Sequence, residues 1–294
     1  MDWQEQLIRL YLEICELYDQ ELFVLTERFS NNNQPDFTDS EVATVYLWGL
    51  LAGHHTQKAN HKYVMDHLAE WFPDLPKYSA YLDRVNRLGD FLCALTDRLL
   101  GRLPLETVPE VRRLIDSMPI MMAKRNNSYR AKVAPELADR TWHPVKKMSY
   151  YGVKVHAIAF SRPGALPLPE YFFLTNAAQH DLEAFRPLAE EIYFGDFIGD
   201  RAYVDTELKE QMKQRETDLV TPIKRKRNDP PLTLFQKAYN ALVSKVRQPI
   251  ESFFNWVETT VNIEDAARVR SSNGLRVHIW GKLAAAILVL AWSF

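Results

Sequence analysis

The sequence predicts an α/β protein: a mixed sheet with helices on its faces, preceded by a small helical domain. Three observations predict it. Apolar residues recur at helical spacing through the first hundred positions. From about residue 112 short alternating or β-branched runs interrupt the helical patterns. Between the two textures lies a proline-bounded stretch, Pro104–Pro109, which reads as a linker and divides the chain into 1–107 and 108–294. At 294 residues the chain is long enough to bury a sizeable core as one or two domains.

In the first region Trp3, Leu7, Leu10, Tyr11, Ile14, Leu17, Tyr18 and Leu22 form one helical stripe, broken by the loop Asn31–Pro35. Thr38 and Glu41 make a capping box ahead of the apolar run Val42–Leu51. Further helical patterns around Tyr63–Phe72 and Ser79–Leu99 are separated by Pro73 and Pro76. Such helices form a compact bundle. A helix-turn-helix is one example, with Lys77, Arg84 and Arg87 beside its recognition helix. Any other small helical domain gives a similar pattern.

In the second region Arg113–Met118 reads as a short strand ending at Pro119. Tyr150–Phe160 alternates, with Val153, Val155 and Ala157 on one face and Lys154 and His156 on the other. Pro163-Gly164 marks a turn and Glu170–Thr175 a third strand, giving an antiparallel meander. Helix Asp181–Glu191, strand Tyr193–Ile198, helix Thr206–Arg215 and strand Asp218–Thr221 follow. Helices Thr233–Val246, Ile250–Thr260 and Leu275–Trp292 complete the order, which is that of a ribonuclease-H-like fold.

The net charge of −2 hides an asymmetry. Residues 1–107 carry 9 Lys and Arg against 17 Asp and Glu, a net of −8. Residues 108–294 carry 27 against 21, a net of +6, so this region is the candidate for contact with a polyanion. Cys15 and Cys93 have no C-x-x-C partner, which leaves neither a zinc site nor a disulfide framework. His54, His55, His61 and His67 are scattered on helices without a ligand pattern. The start, Met1-Asp-Trp-Gln-Glu, lacks a secretory pattern. The longest apolar run, Leu283–Trp292, is too short to span a bilayer, so a cytoplasmic protein without a membrane partner is expected.

Three acidic residues stand where chemistry is plausible. Asp116 lies on an apolar strand, where a carboxylate is costly unless paired or metal-bound. Asp200 ends another strand just past Gly199; it is either a ligand or a turn cap. Glu251 follows Pro249 near the expected start of a helix, as a ligand or as an answer to the helix dipole. Arg247, four residues earlier, either clamps a phosphate or pairs with Glu251.

Together the segments Asp-Ser-Met-Pro-Ile, Tyr-Gly-Val-Lys-Val-His, Asn-Ala-Ala-Gln-His-Asp, Gly-Asp-Arg-Ala-Tyr-Val-Asp and Arg-Gln-Pro-Ile-Glu-Ser-Phe-Phe resemble the successive motifs of bacterial insertion-sequence DDE transposases. The acids are 84 and 51 positions apart, as in compact members without a large insertion. The resemblance covers roughly residues 108–290. It implies that Asp116, Asp200 and Glu251 bind two Mg²⁺ ions, with Mn²⁺ as a substitute. Asp116 would bridge both ions, and the chain would cut element ends and join the 3′-hydroxyl to target DNA. It further implies double-stranded DNA as partner, a dimer on that DNA, a place on the nucleoid, and a DNA-end-binding role for residues 1–107. The His180-Asp181 pair matches a family motif; Asp181 alternatively caps the following helix.

DNA contacts are expected from Lys124, Arg125, Lys154, His156, Arg201 beside Asp200, Arg247, and the run Lys224, Arg225, Lys226 and Arg227, with Arg84 and Arg87 in the helical domain. Lys154 and His156 are otherwise solvent-facing strand residues. Four phosphate contacts from Lys224–Arg227 would give a log–log salt slope of about −4. Tyr129, Trp142 and Trp256 either stack on an unpaired base or fill the core. Two departures from the family are Asn255, where some relatives have a lysine, and the pair Met121-Met122. The alternatives are an inactive transposase-derived DNA-binding protein, and a glycosidase-type hydrolase that would leave the basic clusters unexplained.

Overall fold

A computed structural model describes residues 2–27, 35–192, 194–225 and 229–292. It divides into two compact units, one of Met1–Arg102 with Val257–Phe294 and the other of Leu103–Trp256. This differs from the expected division into 1–107 and 108–294: the first break falls after Arg102, and Val257–Phe294 folds with the helical unit rather than with the sheet.

The helical unit begins with α1 (Trp3–Gln20), whose Asp2 and Glu5 form a capping box. Next is α2 (Asp39–Leu51), capped by Thr38 and Glu41 as the sequence predicts. The two later patterns resolve into α3 (Gln57–His67), α4 (Tyr78–Val85) and α5 (Gly89–Gly101).

The second unit carries a mixed sheet. Its strands are β1 (Arg112–Lys124), β2 (Asp139–His143), β3 (Met148–Phe160) and β4 (Leu168–Asn176). Then come α6 (Asp181–Glu191), β5 (Gly195–Ile198), α7 (Thr206–Lys213), β6 (Thr217–Val220) and α8 (Leu234–Val261). The strand order is β2-β3-β1-β5-β6, with β4 also paired to β3. Along one edge of β3, β2 pairs with 148–152 and β4 with 153–160; β1 takes the other edge, antiparallel. β5 joins β1 in parallel, and β6 joins β5 in parallel. This is the mixed, ribonuclease-H-like sheet expected.

Four local expectations need correction. β1 does not stop at Pro119 but runs through it, because β5 pairs β1 only as far as Leu114 and a strand bonded on one side tolerates the missing N–H. β2 was not expected: its charged, largely exposed residues carry no apolar signal. β3 is buried on both faces, so its alternation is not inside against outside. The two helices expected around Pro249 are one, α8, with the proline inside it and Glu251 in mid-helix.

The last helix, α9 (Ser272–Trp292), packs on α5 and α2 of the helical unit. Thr96 donates to the Trp280 carbonyl at 3.2 Å and Tyr46 to that of Val277 at 3.1 Å. Polar His278 and Lys282 interrupt the apolar run without ending the helix. At 21 residues and a mean hydropathy of 1.5 over its apolar window, α9 is long and apolar enough to cross a membrane, unlike the shorter run considered above; 72% of that window is buried inside the protein.

Candidate active site

The sheet places the first acid. Asp116 of β1 lies opposite Ala157 of β3, which lies opposite Phe172 of β4, so the three share one face. On that face Phe253 of α8 stacks against Phe172, with ring centres 6.3 Å apart. α8 is thereby set against the sheet, and nearly two turns before Phe253 its Arg247 reaches Asp116.

Arg247 Nη1 donates to Asp116 Oδ2 at 2.6 Å, and its Nη2 donates to Glu251. One guanidinium thus joins two acids 135 positions apart in sequence. Asp116 also accepts the Ser117 N–H at 2.8 Å. Burial pushes the Asp116 carboxyl up to about 7; Arg247 and the Ser117 N–H pull against that, while the charges of Asp200 and Glu251 add to it. Arg247 loses by burial, but Asp116 and Glu251 outweigh the loss and hold its proton more tightly. Asp200 caps the turn after β5, taking the Ala202 N–H at 2.7 Å. A Cβ on Gly199 would meet the Tyr203 ring at 2.8 Å, so only glycine lets the chain turn here before Asp200.

The opposite face of β1 carries a second polar network. Ser117 Oγ donates to Asp181 Oδ2 at 3.0 Å, and Lys154 Nζ donates to Asp181 Oδ1 at 2.5 Å. The fold order, the meeting of acids from β1 and α8, and the charge coupling to Asp200 at the end of β5 agree with one comparison: the description Transposase DDE domain matches residues 107–288. The chain belongs to this family. No curated protein and no solved structure matches it.

Asp116, Asp200 and Glu251 are hard oxygen donors, and the raised Asp116 carboxyl, which owes most to burial and less to the charges of Asp200 and Glu251, is the kind a divalent cation would return to its charged form. The donor set therefore fits Mg²⁺ or Mn²⁺ in chemistry. In spacing, no group of three His, Cys, Asp or Glu among the described residues is gathered to hold an ion. The counter-charge between Asp116 and Glu251 is instead the guanidinium of Arg247, which makes the expected pair with Glu251 and adds Asp116 to it.

Several cations expected on DNA are engaged in the fold of the transposase. His156 is fully buried, stacks on Phe173 at 4.5 Å and bonds Thr175 Oγ1 at 2.8 Å; it is not a solvent-facing contact because β3 is covered on both faces. Burial lowers its pKa to about 4. Lys154 is held in its ion pair with Asp181. Arg84 is 12% exposed, paired with Asp39 at 2.7 Å and set over the Phe37 ring, so it ties α4 to the start of α2. His180, not Asp181, caps α6: its ring accepts the Leu182 N–H at 3.3 Å.

Other expected contacts lie at the surface. Arg87, Lys124, Arg125, Arg201, Lys224 and Arg225 are exposed, and Arg225 bonds the Asp229 carbonyl at 2.9 Å. Lys226 and Arg227 fall outside the described residues. Tyr129 and Trp142 are 65% and 58% exposed, so they are not core, and Arg140 lies 4.1 Å over the Tyr129 ring. Met121 and Met122, the other departure from the family, are core residues.

Sequence reasoning missed Ser117 and Tyr203. Ser117 adjoins Asp116, and alternation alone sends its hydroxyl to the face of Asp181. The Tyr203 hydroxyl is buried without a hydrogen-bond partner, and burial followed by the charges of Asp181, Asp116 and Asp200 raises it well above the usual phenol range. Its signal is the tyrosine three residues past Asp200.

Proposed function

We propose that this transposase cuts the ends of an insertion element and joins the freed 3′-hydroxyl to target DNA, with Asp116, Asp200 and Glu251 as its catalytic acids. The observation that supports it is the single guanidinium spanning Asp116 and Glu251 while Asp200 acts on the same carboxyl. Asp116, Asp200 and Glu251 would hold Mg²⁺ or Mn²⁺, which would supply charge neutralisation at the reacting phosphodiester.

The protein's own groups do the rest. Ser117 fixes the Asp116 carboxylate through its N–H, and α8 holds Glu251 on the same face. Once the two acids have another counter-charge, Arg247 is free to turn its planar fork to a phosphodiester, the geometry it suits best. Arg201, Lys124, Arg125 and the Lys224–Arg227 run take neighbouring phosphates, and the helical unit, with Arg87 at its surface, binds the element end. The Ser117 hydroxyl is given to Asp181 on the face of β1 opposite Asp116, away from the proposed acids, so no covalent protein–DNA intermediate is proposed. Two ends must be joined, which calls for a dimer on DNA, acting on the nucleoid in the cytoplasm.

The test is cleavage of a labelled element end in Mg²⁺. Asp116→Asn, Asp200→Asn and Glu251→Gln each lower the rate by at least about 100-fold, roughly 3 kcal/mol of barrier. Variants that cut as fast as the wild type overturn the assignment.

A further inference from the structure

The helical unit contains a cavity of about 510 Å³, lined among others by His55, Lys58, Arg268, Arg270, Ser271 and Lys282. All of these residues belong to the unit formed by the two ends of the chain. Lys282 is the unusual member. It is 2% exposed, and its amine makes one hydrogen bond, to the Asn262 carbonyl at 2.6 Å, with two N–H bonds left for another acceptor. No described carboxylate pairs with it directly. The one acidic side chain of the lining, Asp265, acts on it at longer range, as does Glu258, which takes the Glu264 N–H at 2.7 Å.

Two histidines beside the cavity are held uncharged, as expected next to a cation that no anion answers. His55 Nδ1 is buried with no partner. Burial and the charge of Lys282 both lower the proton affinity of His55 and of His278, whose Nε2 bonds the Ile263 carbonyl at 2.8 Å. Two helices begin at the cavity: α3 just after Thr56, and α9 just after Ser271. Their caps Thr56 and Ser271, which take the Ala59 and Gly274 N–H groups, stand in its lining, so the positive dipole end of each helix lies there. Arg268, Arg270 and Lys58 are exposed at its rim.

A buried amine with spare donors, two helix starts and three rim cations leave this cavity short of negative charge. We propose that it binds a phosphate group carried by a nucleotide, with Lys282 as the deep contact and Arg268 and Arg270 as the rim clamp. The phosphate belongs either to the DNA backbone or to a free nucleotide; the chemistry is shared. Burial brings the Lys282 amine down to about 8, and a bound phosphate restores its charge.

The test is calorimetric titration of the full chain, without divalent ions, using inorganic phosphate, a deoxynucleoside monophosphate and a single-stranded oligonucleotide. Lys282→Met and Arg268→Ala/Arg270→Ala each weaken binding roughly tenfold or more, the worth of one charged hydrogen bond. Lys209→Ala/Lys213→Ala, on the exposed side of α7 in the other unit, leaves phosphate affinity unchanged. Oligonucleotide that competes with phosphate identifies backbone as the source; competition by the mononucleotide alone identifies the free nucleotide. Absence of phosphate binding, or equal affinity in wild type and both cavity variants, overturns the inference. Because nothing is cut, a chain that binds here yet fails to cleave leaves the cavity standing and sinks only the catalytic assignment.

Discussion

Arg247 shows how one side chain holds opposing charges in place. Two carboxylates converge on one guanidinium while a third adds its field. Arg247→Met leaves Asp116 half-buried beside two like charges. At pH 8 its unfolding free energy falls by about 3 kcal/mol, and Asp116→Asn in the same background recovers most of that in urea titrations. His156 gives a pH signature. Its folded pKa lies near 4 against about 6.5 in the unfolded chain, so between those values the unfolded state binds more protons. Stability therefore falls as pH is lowered from about 6.5 to about 4, by up to about 3 kcal/mol. His156→Gln flattens that slope. The acids were legible because a carboxylate on an apolar strand and a glycine before a strand-end Asp are local signals. The ion pairs of Lys154 and Arg84 were not, since their partners, Asp181 and Asp39, lie 27 and 45 positions away.

At the scale of elements, β1 and β3 approach closely at Gly152. A Cβ there would meet the Ile120 carbonyl oxygen at 1.9 Å, beside the irregular register between Met121 and Ala123. Gly152→Ala forces the two strands apart and destabilises the protein by about 2 kcal/mol, read from the urea midpoint. The Tyr-Gly-Val segment thus has a steric reason for its glycine. Helix and strand order could be read from periodicity, including the Thr38 capping box. What periodicity could not show was continuity. Pro119 and Pro249 are strong stop signals locally, yet β1 and α8 pass through them because pairing on one side, or helix formed on both sides, outweighs one lost hydrogen bond. β2 escaped notice for the opposite reason: it takes its place from pairing to β3, not from its own composition.

For the whole molecule, the basic surface of the second region sets a salt response. If Lys224, Arg225, Lys226 and Arg227 all reach phosphates, replacing the four by alanine reduces the log–log slope of DNA affinity against salt by about 4. An unchanged slope removes that run from the interface. The units also differ in how they draw on the chain. Leu103–Trp256 is continuous, whereas the helical unit needs both Met1–Arg102 and Val257–Phe294. A fragment of residues 108–294 carries α9 without α5 and α2, uncovers its apolar surface and aggregates, as light scattering against the full chain would show.

That division sets a timetable for synthesis. As a nascent polypeptide leaves the ribosome, the sheet has all its residues well before the last helix emerges, while α1–α5 must wait for α9. Lys282, Arg268 and Arg270 all follow the residues of the sheet. A product that stops after α8 can therefore close its sheet yet lack the cavity altogether, since Arg268, Arg270 and Lys282 have not been made.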